Sequence, residues 1–110
     1  MAVTESNKID GIAIGDDNKT LIMLITDHLD WDTEFEFDHL TILQEKINSY
    51  LGFIESKQYM EIYPDNVFYK FLIEISFLHE ITDNCIKYID NANRQLTGTD
   101  IEIVFSVSEK

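Results

Sequence analysis

The sequence is poor in the residues that mark several classes of protein. Its 110 residues include one cysteine, Cys85, one proline, Pro64, and four glycines. A single cysteine excludes an internal disulfide, and no second cysteine is available for a CxxC metal or redox motif. This usage suits a reducing compartment, so we expect a cytoplasmic protein.

Long apolar runs and targeting signals are also missing. The longest apolar run, Leu21 to Ile25, is far shorter than the roughly 20 residues that cross a bilayer as a helix. The first residues, Met1 to Ser6, lack the basic start and apolar stretch of a signal peptide. We therefore expect no membrane association.

Basic residues are scarce, because eight Lys and Arg face 21 Asp and Glu, for a formal net charge of −13. Such a charge repels phosphate backbones and anionic lipid surfaces, which argues against nucleic acid and membranes as partners. Between residues 27 and 38 six side chains are acidic and none is Lys or Arg. A charge run is usually a solvated surface, although it can also steer a basic protein partner.

The composition is that of one globular domain, residues 1–110, with 45% hydrophobic and 26% charged residues. The sequence contains no GxGxxG, Walker, GxSxG or HExxH motif. Dinucleotide, triphosphate, elbow-serine and zinc-peptidase chemistries therefore lack their usual signatures, and we expect no cofactor.

The start of the chain reads as a β-hairpin. Residues 8–14 contain an alternating Ile12-Ala13-Ile14, and Gly15 to Lys19 have the residue types of a tight turn. The next run, Thr20 to Thr26, is apolar without alternation, which is typical of a strand that is covered on both faces or central in a sheet.

The rest of the chain alternates between helix and strand. Asp38 and Thr82 are the expected N-caps of the two helices. The elements are a helix from Leu40 to Ile54, a strand over 67–79, a helix from 83 to Leu96 and a strand over 101–108. The order ββαβαβ predicts an α+β fold, a two-layer α/β sandwich in which a four-stranded mixed sheet carries both helices on one face.

The other face of this sheet is not uniformly polar. Apolar residues are expected on it beside charged ones, and they are Phe68, Leu72, Leu78 and Val104. A soluble monomer rarely exposes such a patch without a functional reason, and a symmetric dimer would cover it. We therefore expect a homodimer.

The segment Asp27-His28-Leu29-Asp30-Trp31-Asp32 holds the most chemically capable side chains. Carboxylates beside an imidazole could bind a cation or form a base with its orienting partner. However, the acids fall at every second position from Asp30 to Glu36, with Trp31, Phe35 and Phe37 at positions of the opposite parity, so in extended backbone the acids line one side and the aromatic rings the other. An EF-hand started at Asp30 fails at its sixth and twelfth positions, and we expect no metal site. His39 and His79 could join His28 only through the tertiary structure.

Aromatic residues make up 12% of the chain, and several tyrosines surround the end of the main helix. A tyrosine hydroxyl needs a partner, so some of these rings are expected at an interface. The candidate binding surface consists of the acidic segment and two tyrosines: Asp27, His28, Asp30, Trp31, Asp32, Tyr50 and Tyr63.

Several central segments carry a family resemblance. They are Asp27-His28-Leu29-Asp30-Trp31, His39-Leu40, Leu43-Gln44-Glu45-Lys46-Ile47-Asn48, Tyr50-Leu51-Gly52-Phe53-Ile54-Glu55-Ser56 and Tyr63-Pro64. Together they resemble an uncharacterised bacterial family of small acidic α/β proteins, the domain of unknown function 6572. The resemblance implies a bacterial cytoplasmic protein without an assigned activity. It also suggests that the polar ridge Gln44, Glu45, Lys46 and Asn48 either holds the Asp27-His28-Leu29 segment by hydrogen bonds or faces a ligand, and the first is favoured.

Two functions compete at this point. The first is a non-enzymatic protein-binding or regulatory module that presents an acidic, aromatic-rich surface to a basic protein partner. The alternative is a small metal-dependent hydrolase that uses Asp27, His28, Asp30 and Asp32. The first is favoured, because scattered His and Asp residues are commoner than ligand clusters.

Overall fold

The computed structural model describes residues 8–108. The strands and helices are β1 (Gly11–Ile14), β2 (Thr20–Asp27), α1 (Glu36–Glu55), β3 (Lys70–Phe77), α2 (Asp83–Gln95) and β4 (Ile101–Val107). Short 3₁₀ turns at Thr33–Phe35 and Gln58–Glu61 flank α1. The predicted order ββαβαβ and the α+β class are confirmed.

The four strands form one mixed sheet in the order β1-β2-β3-β4. β1 and β2 are antiparallel, whereas β2, β3 and β4 are parallel. The β1–β2 turn is held by Asp17, whose Oδ1 accepts hydrogen bonds from the backbone N–H of Lys19 and Thr20. Asn18 adopts φ 60° there, a left-handed conformation that asparagine tolerates.

One face of the sheet is buried beneath both helices. The buried residues alternate along β2 and β3, and Met23, Ile73 and Ile103 form one aligned row across three strands. The opposite face, which we call the open face, carries Leu72 and Val104 at intermediate exposure. The two layers of the predicted sandwich are therefore confirmed.

The cap assigned to the main helix was wrong. α1 begins at Glu36, its cap position is Phe35, and no side chain caps it. Instead Asp32 caps the preceding 3₁₀ turn by accepting a hydrogen bond from the N–H of Glu34 at 3.0 Å. The turn runs directly into α1, so Asp38 falls inside the first helical turn, where its charge still opposes the positive helix end. The Thr82 cap is confirmed, since its hydroxyl accepts from the N–H of Cys85.

Phe68 does not lie on the open face as expected. β3 starts only at Lys70, so the alternation does not extend back to Phe68. Its ring is buried and packs against Tyr59 and Phe71, with ring centroids at 5.7 and 6.3 Å. The aromatic contact overrides the period-two pattern.

Lys46 is fully buried and joins α1 to the start of the described chain. Its Nζ donates to the carbonyl of Lys8 at 2.6 Å and to Oδ1 of Asp10 at 3.0 Å. Oδ2 of Asp10 accepts from the N–H of Thr26 at 3.0 Å. The resemblance suggested that the polar ridge holds the Asp27-His28-Leu29 segment. Lys46 does not do so, because it binds Lys8 and Asp10 instead.

Tyr50 completes this network, which we call the Lys46 network. Its hydroxyl donates to the carbonyl of Leu24 at 2.6 Å and accepts from the N–H of Asp10 at 2.8 Å. Burial raises the pKa of this phenol to about 12. Tyr50 is thus a core residue and not part of a surface.

Neither helix within residues 8–108 has the length and apolar character that crossing a membrane requires.

Candidate functional site

The carboxyl ends of β2, β3 and β4 meet at one edge of the sheet, and both helices begin there. In open α/β sheets this edge is the usual place for ligands. His28 follows β2, His79 follows β3, and His39 lies near the start of α1. The tertiary structure therefore brings all three histidines to the same edge.

A buried acid–base pair lies at the centre of this edge. His39 Nε2 is 2.7 Å from Oδ2 of Asp27, and the two side chains are 4% and 0% exposed. The second Asp27 oxygen accepts from the N–H of Leu29 at 3.1 Å. In a neutral imidazole this contact places the proton on Nε2, which leaves Nδ1 as an acceptor.

Trp31 fixes the plane of the His39 ring. The two rings stack with centroids 3.5 Å apart at 12°. The indole also meets Phe77 edge-on at 6.1 Å. Since Asp27 orients one nitrogen and Trp31 covers one ring face, the imidazole is held in a single orientation.

Four buried side-chain atoms at this edge have no hydrogen-bond partner. They are His28 Nε2, Trp31 Nε1, Glu36 Oε2 and His39 Nδ1. Because buried polar groups are almost always hydrogen-bonded, this concentration indicates a place that water or a ligand completes.

Two polar contacts join the segment after β2 to the loop after β3 and to the start of α2. His79 Nε2 lies 3.1 Å from Oδ1 of Asp30, and Asn84 donates to Oε1 of Glu36 at 3.3 Å. These contacts hold Asp30 and Glu36 against the residues that lead into α2.

Cys85 is buried beneath the same edge. Burial raises the pKa of its thiol to about 12, and the charges of Asp27 and Glu36 act in the same direction. A thiol with that pKa stays protonated at neutral pH, which argues against a nucleophile.

A pocket of about 310 Å³ opens beside His39, and we call it the acidic pocket. It is lined by Leu29, Asp30, Asp32, Phe35, Asp38, His39 and Ile42. The surrounding acidic surface, defined as Asp30, Asp32, Glu34, Phe35, Phe37 and Asp38, is solvent-exposed. Phe35 is 56% and Phe37 79% exposed.

The structure brings five of the seven candidate surface residues together at this edge. Asp30 and Asp32 are exposed, His28 and Trp31 are half-buried, and Asp27 is buried under them. Tyr50 lies in the core, as described above. Tyr63 packs against Phe68 at 6.0 Å, near the start of β3 and therefore at the opposite edge.

Three further residues at this edge, His39, Glu36 and Ile42, were not predicted as part of the candidate binding surface. The signal for His39 was its position on the buried stripe of α1, four residues before Leu43. A polar side chain on such a stripe requires a buried partner, and Asp27 supplies it.

No group of three or more His, Cys, Asp or Glu side chains is arranged to hold a metal ion anywhere in residues 8–108.

The chain belongs to the family of unknown function DUF6572, whose model matches residues 1–109. This confirms the resemblance of the central segments and extends it to nearly the whole chain. No curated protein and no solved structure matches it.

Proposed function

We propose that this DUF6572 protein is a non-enzymatic module that binds a basic protein partner through its acidic surface. The observation that carries the proposal is the exposure of Phe35 and Phe37 among four exposed carboxylates. The sequence places no Lys or Arg between Lys19 and Lys46. The segment therefore combines apolar contact area with uncompensated negative charge.

These two properties serve different parts of recognition. Exposed aromatic rings are frequent anchors at protein interfaces, where burying them contributes most of the affinity. Uncompensated carboxylates steer a cationic partner and exclude acidic ones, with an effect that weakens as salt is added. A surface that served only for solvation would not need the exposed rings.

Fluorescence anisotropy with a labelled Arg-Leu hexapeptide tests this proposal, with a Glu-Leu hexapeptide as the charge control. We expect saturable binding of the basic peptide only, weakened by salt. Phe37→Ala should weaken it by roughly tenfold, in the range of interface aromatic residues. Tyr69→Ala is the matched control, because Tyr69 is 64% exposed but lies next to the opposite end of β3.

Absence of binding at 1 mM protein in low salt would contradict the proposal. So would equal losses in Phe37→Ala and Tyr69→Ala, because the acidic surface would then have no special role.

We also propose that the open face pairs with a second copy of the chain. Strand register places four half-buried apolar residues across its middle: Ile22, Leu24, Leu72 and Val104. The charged residues on it are Lys70, Glu74 and Glu102, and Lys70 pairs with Glu102 at 3.5 Å. The face thus carries a net charge of −1, against −13 for the whole chain. Two copies can meet there with little repulsion.

The area of the open face sets the expected strength of the dimer. Three strands of seven or eight residues and the four-residue β1, spaced about 4.8 Å apart at about 3.3 Å per residue, cover roughly 400 Å² per copy. Two such faces approach the lower limit of specific interfaces. We expect a dimer that dissociates on dilution.

Light scattering coupled to gel filtration measures this association at about 100 µM and at tenfold dilution. Leu72→Glu should yield a monomer, since it places an unpaired charge in the contact. Gln95→Glu adds the same charge on α2, outside the open face, and should leave the dimer intact. A monomer at the higher concentration in high salt would contradict the proposal.

The metal-dependent hydrolase stays a prediction. Metal analysis of the purified protein, with His28→Ala as the control, tests it.

A further inference from the structure

We infer that the acidic pocket receives an arginine side chain of the partner. The inference rests on the proposed function and names the group that the acidic surface recognises. It depends on three properties of the pocket: its walls, its free carboxylates and the buried imidazole of His39.

The walls match the two parts of an arginine side chain. Leu29, Phe35 and Ile42 supply apolar surface suited to a chain of methylene groups. The carboxylates of Asp30, Asp32 and Asp38 line the same pocket and suit a cationic head. The volume of about 310 Å³ leaves room for one long side chain and some water.

These carboxylates are not neutralised by the fold. Asp38 has no hydrogen-bond or ion-pair partner within residues 8–108, and Asp32 uses one oxygen for its cap. Asp30 meets only His79, which is charged only when protonated. An incoming cation therefore finds acceptors that no Lys or Arg of the described chain occupies.

His39 adds an acceptor that is already desolvated. The ring is 4% exposed, lines the pocket and carries an unpartnered Nδ1. With Nε2–H donated to Asp27, a neutral ring can accept one hydrogen bond at Nδ1. The lining of the pocket thus contains carboxylate acceptors and a residue with a buried, unpartnered imidazole nitrogen, and a donor-rich ligand suits both.

The geometry favours guanidinium over ammonium. A guanidinium presents five N–H donors in a planar fork and stacks on aromatic rings such as Phe35. A lysine ammonium is a compact and strongly hydrated charge, which loses more hydration on entering a half-apolar pocket. We therefore expect arginine to bind more tightly than lysine.

An NMR titration of the isotope-labelled full chain tests the inference with N-acetyl-arginine amide. The controls are N-acetyl-citrulline amide, which has the same shape without the charge, and N-acetyl-lysine amide. We expect saturable shifts at Leu29, His39 and Ile42 with the arginine probe. Citrulline should bind at least tenfold more weakly and lysine severalfold more weakly.

Two matched pairs of variants distinguish binding in the acidic pocket from general electrostatic attraction to the acidic surface. Asp38→Asn and Glu34→Gln remove the same charge from the same exposed segment, but only Asp38 lines the pocket. Phe35→Ala and Phe37→Ala remove the same ring, and only Phe35 lines the pocket. The pocket variants should weaken the arginine probe by fivefold or more, and the outer variants by less than twofold.

The outcomes distinguish this inference from the proposed function. If the basic hexapeptide binds but both members of each pair behave alike, the acidic surface is a partner site and the arginine pocket is wrong. If citrulline matches arginine, the inference also fails. If neither the hexapeptide nor the arginine probe binds, both proposals fall. A folded state for each variant is confirmed beforehand by its amide spectrum.

Discussion

Two buried acid–base pairs lie beneath α1, and they differ in how completely their polar atoms are satisfied. His39 and Lys46 are seven residues apart, about two helical turns, so both face the sheet. Around Lys46, both Asp10 oxygens and the Tyr50 hydroxyl have partners. Around His39, the Nδ1 atom and the neighbouring indole Nε1 have none.

The difference separates folding from binding. A fully satisfied buried network specifies one arrangement of the chain, and breaking it costs stability. If the acidic pocket binds as we propose, the pair whose Nδ1 atom has no partner gives up stability to keep a group for the ligand. The Lys46 network therefore stabilises the fold, whereas in our proposal the Asp27–His39 pair contributes to ligand binding in the acidic pocket.

The largest expected loss of stability follows from breaking the Lys46–Asp10 pair, whose polar atoms all have partners. Lys46→Met leaves the Asp10 carboxylate, 9% exposed, without its ammonium partner. Unpairing such a charge costs about 3–5 kcal/mol of unfolding free energy, measured by urea denaturation. Lys87→Met removes an exposed lysine of α2 and should change stability by less than about 0.5 kcal/mol. Equal losses would show that Lys46 has no special structural role.

Removing the charge of Asp27, in the Asp27–His39 pair, should reduce the free energy of unfolding by less. Asp27→Asn keeps a polar group beside both Leu29 and His39, so the loss should be about 1–2 kcal/mol. The carboxamide can donate to His39 Nε2, which moves the ring proton to Nδ1. Ring ¹⁵N shifts of His39 should report this change, and arginine binding should fall. An unchanged tautomer with full arginine binding would contradict the role given to Asp27.

Rising pH should reduce stability first through Cys85, beneath the candidate site, and then through Tyr50 in the Lys46 network. Burial raises the pKa of Cys85 from 9.0 to about 12, and that of Tyr50 from 10.0 to about 12. Each group loses its proton first in the unfolded chain, so its stabilising contribution is complete below the unfolded pKa and disappears as pH rises toward 12. In denaturation curves, Cys85→Ala should flatten the loss between pH 9 and 10. Tyr50→Phe should leave that interval unchanged and flatten the loss above pH 10.

The smallest effect concerns the acidic surface itself. Glu34 is exposed among other carboxylates, so Glu34→Gln should raise the melting temperature by about 1–2 °C at low salt, because it relieves repulsion. The gain should vanish in high salt, where the repulsion is screened. A clear loss of stability at low salt would show that Glu34 is specifically paired.

Much of the fold followed from local patterns. Alternating, continuous and helically spaced apolar residues located the strands and the two α-helices of the described chain, because each of them buries apolar residues against the core. The errors occurred at element ends. Asp38 and Phe68 were misplaced because a 3₁₀ turn and an aromatic contact, which local periodicity does not contain, decided those positions.

For the site, the sequence by itself determined the chemistry of one segment: six acids with no Lys or Arg, interleaved with Trp31, Phe35 and Phe37. It could not determine which side chains from distant positions would join that segment. Parallel strands bring their carboxyl ends to one edge, and only that packing placed His39 against Asp27 and His79 beside Asp30. The pocket therefore belongs to the tertiary structure, because its acceptors and walls depend on how α1 packs over the sheet.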